Sequence, residues 1–246
     1  MEVTFKPIGD RGIRVGFGDV VSLKIHQQVR QLCRKLERER HPGIVEWIPS
    51  YTAVTVFYQP HKLFYHEMQA ILQASIEKME DEPLPASRVV RIPTCYGGEF
   101  GPDIDAVGGE LTTEEVVALH SEKEYLVYML GFAPGFPYLG GLDQRLATPR
   151  LAEPRAVTPA GSVGIAGQQT GIYSIETPGG WQIIGRTPLS LYDPYREEPT
   201  IFRVGDLVKF EPITRVEYEE IKEVVERGEY TIQCSEGDEE HAGGSQ

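Results

Sequence analysis

Residues 131–142, which read GFAPGFPYLGGL, concentrate side chains suited to ligand binding. Phe132, Phe136 and Tyr138 stand between glycines and prolines that fix the backbone and leave it accessible. Rings in this setting either pack into the core as a buried tight turn or form the wall of a pocket. The spacing leaves both interpretations open.

A second glycine-rich segment, residues 158–173 (TPAGSVGIAGQQTGIY), brings small and polar groups together. Its glycines recur at every third position: Gly161, Gly164 and Gly167. The segment lacks the lysine of a phosphate-binding loop and the spacing of a dinucleotide fingerprint, and Ser162 is not in a G-x-S-x-G elbow. It predicts either strands that cross closely at a barrel corner or a polar site made by Gln169 and backbone amides.

Two arginines lie in turn-rich segments close to aromatic residues. Arg186 and Trp181 belong to residues 177–188 (TPGGWQIIGRTP), and Arg155 ends the run EPR. An arginine is usually a surface charge, but a guanidinium in such a place can also bind a carboxylate in two-point geometry. A small acid or amide would suit such a site.

Histidine and cysteine spacing gives no metal motif. His61 and His66 are five residues apart on a predicted helix, and the three cysteines form no C-x-x-C pair. We therefore expect no metal in this chain. His120, near the end of a predicted helix and close to the 131–142 segment, is the acid/base candidate; a helix-end histidine favoured by the macrodipole is the alternative.

The composition argues against several classes of protein. The chain has 246 residues and a formal net charge of −13, which would repel a phosphate backbone, so nucleic acid is a poor candidate partner. We find neither a signal-peptide pattern nor a run of 18 apolar residues, and therefore expect a cytoplasmic protein with no membrane partner.

Periodicity predicts a small ββαββα domain over residues 1–80. Strands are expected at 3–8, 12–17, 44–48 and 52–58, with helices at 22–40 and 61–78. The acidic, proline-bearing residues 80–87 are predicted to be a linker.

A β-rich domain is predicted over residues 88–230. Thr112–Glu115 is a capping box that begins one short helix, and after it only short strands between glycines and prolines are expected, as in a closed barrel. The acidic residues 235–246 are predicted to be a disordered tail.

Three segments, GFAPGFPYLGGL, PAGSVGIAGQQTGIY and PGGWQIIGRTPLSLYDP, resemble in order and spacing the family of KipI and the 5-oxoprolinase subunit PxpB, formerly called allophanate hydrolase subunit 1. GDRGIRVGFG and CYGGEFGPDID extend the resemblance over nearly the whole chain. The sequence departs from the pattern at Thr158 and Ser174, where many members have valine and proline. The resemblance implies an α+β fold in which a cyclophilin-like β-barrel follows the small N-terminal domain.

The resemblance also implies an enzyme subunit that acts with partner subunits of the PxpA and PxpC types to open 5-oxoproline to glutamate with ATP. ATP would act elsewhere in the complex or at an interface shared with this chain, and the sequence has no Met-Lys-Met for biotin. In this hypothesis Arg155 or Arg186 holds the substrate carboxylate, Gln169 and backbone amides polarise the oxyanion, and His120 moves protons. The remaining candidate substrate-binding residues are Phe132, Phe136, Tyr138, Gly161, Ser162, Thr170 and Trp181.

A second hypothesis from the same resemblance is an inhibitor of a sporulation histidine kinase, as KipI is. A rigid aromatic groove could then bind a proline-bearing helical target. A peptidyl-prolyl isomerase is a third possibility, which rests on the barrel fold alone. The gene neighbourhood would discriminate between the enzyme and the inhibitor.

Overall fold

A computed structural model describes residues 3–79 and 84–237. The chain separates into two compact units, Met1–Pro85 and Ala86–Gln246. The division lies within the predicted linker, of which residues 80–83 are outside the described part.

The first unit is a four-stranded antiparallel sheet with two helices. Its elements are β1 (Thr4–Ile8), β2 (Gly12–Gly16), α1 (Leu23–Glu39), β3 (Ile44–Pro49), β4 (Ala53–Tyr58) and α2 (Tyr65–Glu77). The strand order is β1-β2-β4-β3. Alternate residues of β2 and β4, such as Val15 and Val56, are fully buried in one core with Val29 of α1 and Leu72 of α2. The predicted ββαββα arrangement is confirmed.

The second unit is built around a closed barrel. Its strands are β5 (Ser87–Tyr96), β6 (Glu124–Leu130), β7 (Pro137–Gly140), β8 (Arg155–Thr158), β9 (Ser162–Ala166), β10 (Gln169–Ile172), β11 (Thr177–Gly179), β12 (Gln182–Arg186), β13 (Leu207–Pro212) and β14 (Cys234–Gly237). Seven of these described strands follow the order β12-β9-β10-β7-β6-β13-β5, and pairing of β12 with β5 closes the ring. Strands β8 and β11 form a separate ribbon. The predicted α+β fold with a closed barrel is confirmed.

Helix α3 (Thr113–Glu122) begins at the predicted capping box. The Thr112 side chain accepts a hydrogen bond from the Glu115 amide, and the Glu115 carboxylate accepts one from the Thr112 amide. Most of the barrel interior is apolar and includes Val163, Ile165 and Phe210, all fully buried.

Two expectations for the C-terminal region are wrong. Helix α4 (Arg215–Glu226) follows β13, although only strands were expected there; Thr214 and Glu217 form a capping box like that of α3. Residues 235–237 of the predicted tail belong to β14, because backbone groups along the edge of β5 pair with it whatever its side chains are. Residues 238–246 lie outside the described part. Within that part, no helix has both the length and the apolar character needed to cross a membrane.

Candidate functional site

The barrel wall between β7 and β12 has two buried faces. Side chains alternate along β9, so that Val163 and Ile165 point into the barrel core and Gly164 lies on the outer face. Gly171 of β10 is also on the outer face, where a Cβ would lie 3.0 Å from ring atoms of both Phe136 and Trp181. Glycine at this position therefore lets two rings pack directly on the strand backbone.

A pocket of about 240 Å³ lies on this outer face. Its lining residues are Phe132, Phe136, Tyr138, Arg150, Pro154, Tyr173, Pro178, Gly179, Gly180 and Trp181. Phe136 is the central ring: its centroid is 5.4 Å from those of Tyr173 and Trp181, with interplanar angles of 87° and 83°. Edge-to-face packing of this kind stabilises a rigid aromatic wall.

Phe132 forms the exposed rim of the pocket. Its backbone is left-handed, with φ of 62°, and its side chain is 64% exposed. Hydrogen bonds from the Gly131 amide to the Phe136 carbonyl and from the Phe136 amide to the Ala133 carbonyl, both 3.1 Å, hold the loop closed. A strained, exposed ring held by a tight loop is typical of a functional position.

Tyr173 forms the floor beneath a glycine turn. A Cβ on Gly179 would lie 2.2 Å from the Tyr173 hydroxyl oxygen, so the turn can cover the phenol only with glycine at this position. Burial raises the pKa of Tyr173, and a hydrogen bond with the Trp181 backbone and the charges of Arg150 and Arg155 partly oppose that rise. The pocket thus contains a polar atom at its base.

Arg150 supplies a positive charge at the pocket. It is exposed, and its guanidinium carbon lies 6.0 Å from the centroid of the Trp181 ring. Arg150 was not predicted from the sequence, although it stands in the same turn-rich run, TPRLAEPR, that drew attention to Arg155.

Arg155 has a structural role, which contradicts the prediction that it holds a substrate carboxylate. Its guanidinium contacts both oxygens of Asp103, at 2.5 and 2.6 Å, and donates a hydrogen bond to the Trp181 carbonyl at 3.1 Å. Asp103 also accepts a hydrogen bond from the Ile183 amide at 2.6 Å. The ion pair therefore fixes Trp181 and the start of β12, which follows it directly.

His120 lies inside the barrel, not at the pocket, so its predicted role in proton transfer there is wrong. Its Nδ1 is 2.8 Å from the Tyr96 hydroxyl and its Nε2 is 2.9 Å from Thr170 Oγ1. All contact with solvent is lost, and burial lowers the pKa of His120 to about 3. Thr170 is also fully buried and donates to the Gly164 carbonyl, which contradicts its predicted contact with substrate.

Three other candidates are absent from the pocket lining. Gly161 has φ of 81°, and a Cβ there would lie 2.4 Å from the Thr187 carbonyl oxygen, so its role is structural. Ser162 is fully buried and faces Arg186 across the β9–β12 pair, where the Arg186 guanidinium lies 5.3 Å from the centroid of Phe100. The structure contradicts a pocket role for all three, because Gly161 has no side chain and serves a backbone turn, and the side chains of Ser162 and Arg186 pack elsewhere.

Gln169 lies on the outer face, two residues along β10 from Gly171, and is half-buried. It is not among the residues that line the pocket. Four predicted residues, Phe132, Phe136, Tyr138 and Trp181, are therefore brought together.

Among residues 3–79 and 84–237 there is no cluster of three His, Cys, Asp or Glu side chains suited to a metal ion.

A ββαββα unit followed by a closed barrel with an aromatic pocket on its outer face defines the structural class. The chain belongs to the carboxyltransferase domain, subdomain C and D family, whose model matches residues 3–202.

Its relatives agree with this assignment. The chain is 45% identical over 228 residues to the 5-oxoprolinase B subunit of Bacillus subtilis, covering 88% of this chain and 95% of that protein. It is 46% identical over 209 residues to the 5-oxoprolinase B subunit of Escherichia coli O157:H7, covering 83% and 94%. The crystal structure of TTHA0988 is similar, with a TM-score of 0.75 and 37% identity, covering 83% of this chain and 40% of that one.

Proposed function

We propose that this chain is the PxpB-type subunit of a bacterial ATP-dependent 5-oxoprolinase, which hydrolyses 5-oxo-L-proline to L-glutamate together with partner subunits of the PxpA and PxpC types. The observation that carries the proposal is the 45% identity to a 5-oxoprolinase B subunit along 95% of that protein's length. Because such a complex consumes ATP, the cytoplasm is its natural location.

The proposed reaction divides between this chain and its partners. An unstrained lactam is a poor electrophile, so the γ-phosphoryl group of ATP is transferred to the lactam oxygen before water opens the ring and phosphate leaves. The sequence has no phosphate-binding loop, and we assign phosphoryl transfer to the complex. This chain binds and orients the ring in the aromatic pocket.

The volume of the pocket supports the binding of a small substrate. At about 240 Å³ it is smaller than the pockets of roughly 300–1,000 Å³ that hold drug-sized ligands. A single five-membered ring with a carboxylate is a ligand of suitable size, and the faces of Phe136 and Trp181 offer apolar contact. Large substrates would not fit.

Reconstitution tests the proposal. The chain alone, given 5-oxoproline and ATP, should form no glutamate; the mixture with both partner subunits of the same organism should form it, and omission of this chain should abolish it. Turnover by the isolated chain would contradict the subunit role. An inactive full mixture would favour the kinase-inhibitor hypothesis.

A further inference from the structure

We propose that Arg150 and Tyr173 are the polar contacts of 5-oxoproline in the outer-face pocket: Arg150 binds the carboxylate, and the Tyr173 hydroxyl donates a hydrogen bond to the lactam carbonyl. The proposal rests on the proposed function and adds the orientation of the substrate. Its carboxylate lies beside Arg150, and its carbonyl oxygen lies beside the Tyr173 hydroxyl.

Arg150 is available for an anion, whereas Arg155 is not. In the described part of the chain Arg150 has no ion pair, and its guanidinium is held beside the Trp181 ring. Arg155 already binds both oxygens of Asp103. A guanidinium stacked on an aromatic ring keeps its planar fork of donors free for a carboxylate, and its placement costs little further side-chain entropy.

The Tyr173 hydroxyl is poised to donate. The residue is 1% exposed, lines the pocket, and has its hydroxyl oxygen beneath Gly179. A phenol hydroxyl has one proton to donate. Among the described residues this proton has no side-chain or carbonyl acceptor, so a ligand carbonyl would complete its hydrogen bonding.

The two groups flank the same aromatic wall. Phe136 packs edge-to-face against both Tyr173 and Trp181, and Arg150 lies over Trp181. A flat ring lying on this wall has one polar group near each end. Five-membered lactams with a carboxylate opposite the carbonyl have that arrangement.

Calorimetric titration of the full-length chain with 5-oxoproline and with pyrrolidin-2-one, which lacks the carboxylate, tests the assignment. Arg150→Gln should weaken 5-oxoproline binding about tenfold or more, the loss expected for one hydrogen-bonded charge, and leave pyrrolidin-2-one binding unchanged. Tyr173→Phe, which preserves the ring, should weaken both ligands to a similar extent. Arg145→Gln, an exposed arginine paired with Asp143 outside the pocket, is the control and should change neither.

The assignment is overturned if the unmodified chain binds neither ligand, if Arg150→Gln affects both ligands equally or neither, or if Tyr173→Phe leaves both affinities unchanged. Thermal unfolding of each variant separates loss of contact from loss of fold. The proposed function is tested independently, because glutamate formation by the reconstituted complex with no binding by this chain would overturn only the present assignment.

Discussion

The two faces of β10 have different surroundings and different roles. Thr170 points into the barrel, where it and the fully buried His120 form a hydrogen-bonded network with the half-buried Tyr96. The next residue, Gly171, faces outward and allows Phe136 and Trp181 to pack on the backbone beside an open pocket. Polar side chains of a kind that could do chemistry therefore do not form the binding site when they already hydrogen-bond to one another. The accessible face has the rings and Arg150.

The largest effect on stability should come from the interior. His120→Ala should lower the free energy of unfolding by about 3–5 kcal/mol, because a large buried side chain is lost and the Tyr96 hydroxyl loses its partner. Urea unfolding measures this. Ser121→Ala, whose hydroxyl bonds only to backbone carbonyls of its own helix, is the control and should change stability by less than about 1 kcal/mol. A His120→Ala protein that is as stable as the natural chain, but no longer supports glutamate formation by the reconstituted complex, would contradict a purely structural role for His120.

The pH dependence of stability should also reveal the burial of His120. Burial lowers the pKa of His120 from 6.5 in the unfolded chain to about 3 in the folded one. Between these values the unfolded state binds more protons, so stability falls as the pH falls, by up to about 1.4 kcal/mol per pH unit. The difference in unfolding free energy between the natural chain and His120→Gln should therefore shrink on acidification. A difference that stays constant would show that His120 is accessible to protons in the folded state.

Much of the fold could be predicted from the sequence, because strand alternation, helix capping and turn residues are local signals. The ββαββα order and the start of α3 follow from these signals, as do the turns within residues 131–142. The side of the sheet on which the rings pack could not be deduced, because every residue of β9 and all but Gln169 of β10 are buried. Period-two alternation then separates the two faces without saying which one is the core.

The arginines show why the site was only partly predicted. Arg150 and Arg155 stand in the same turn-rich run and look equivalent in the sequence. They differ because Asp103, 52 residues before Arg155, lies beside one guanidinium and not the other. His120 was misjudged for a similar reason: proximity in sequence to residues 131–142 does not reveal that its ring packs against Phe210 inside the barrel. Such long-range contacts have no signature in a single sequence.

An intermediate effect on stability is expected at the ion pair of Arg155 and Asp103. Arg155→Gln should lower the free energy of unfolding by about 1–3 kcal/mol, since Asp103 loses its charge partner but the pair is partly exposed and screened. Arg145→Gln, which breaks a more exposed pair, should cost less than about 1 kcal/mol. Equal stability losses in the two variants would contradict the structural role of Arg155.

The smallest effect on stability should come from the rim. Phe132→Gly removes an exposed ring and relieves a left-handed backbone, so the two contributions offset each other and the free energy of unfolding should change by less than about 1 kcal/mol. Affinity for 5-oxoproline should nevertheless fall, because the pocket loses one wall. Calorimetry and urea unfolding on the same preparation separate the two effects. Unchanged affinity would remove Phe132 from the site.

The central claim is that this chain works through its outer face, and the kcat/KM of the reconstituted complex for 5-oxoproline tests it most directly. With Arg150→Gln in place of the natural chain, kcat/KM should fall about tenfold or more, while Arg145→Gln leaves it unchanged. Equal kcat/KM values for the two variants, both folded and both assembled with their partners, would contradict the account.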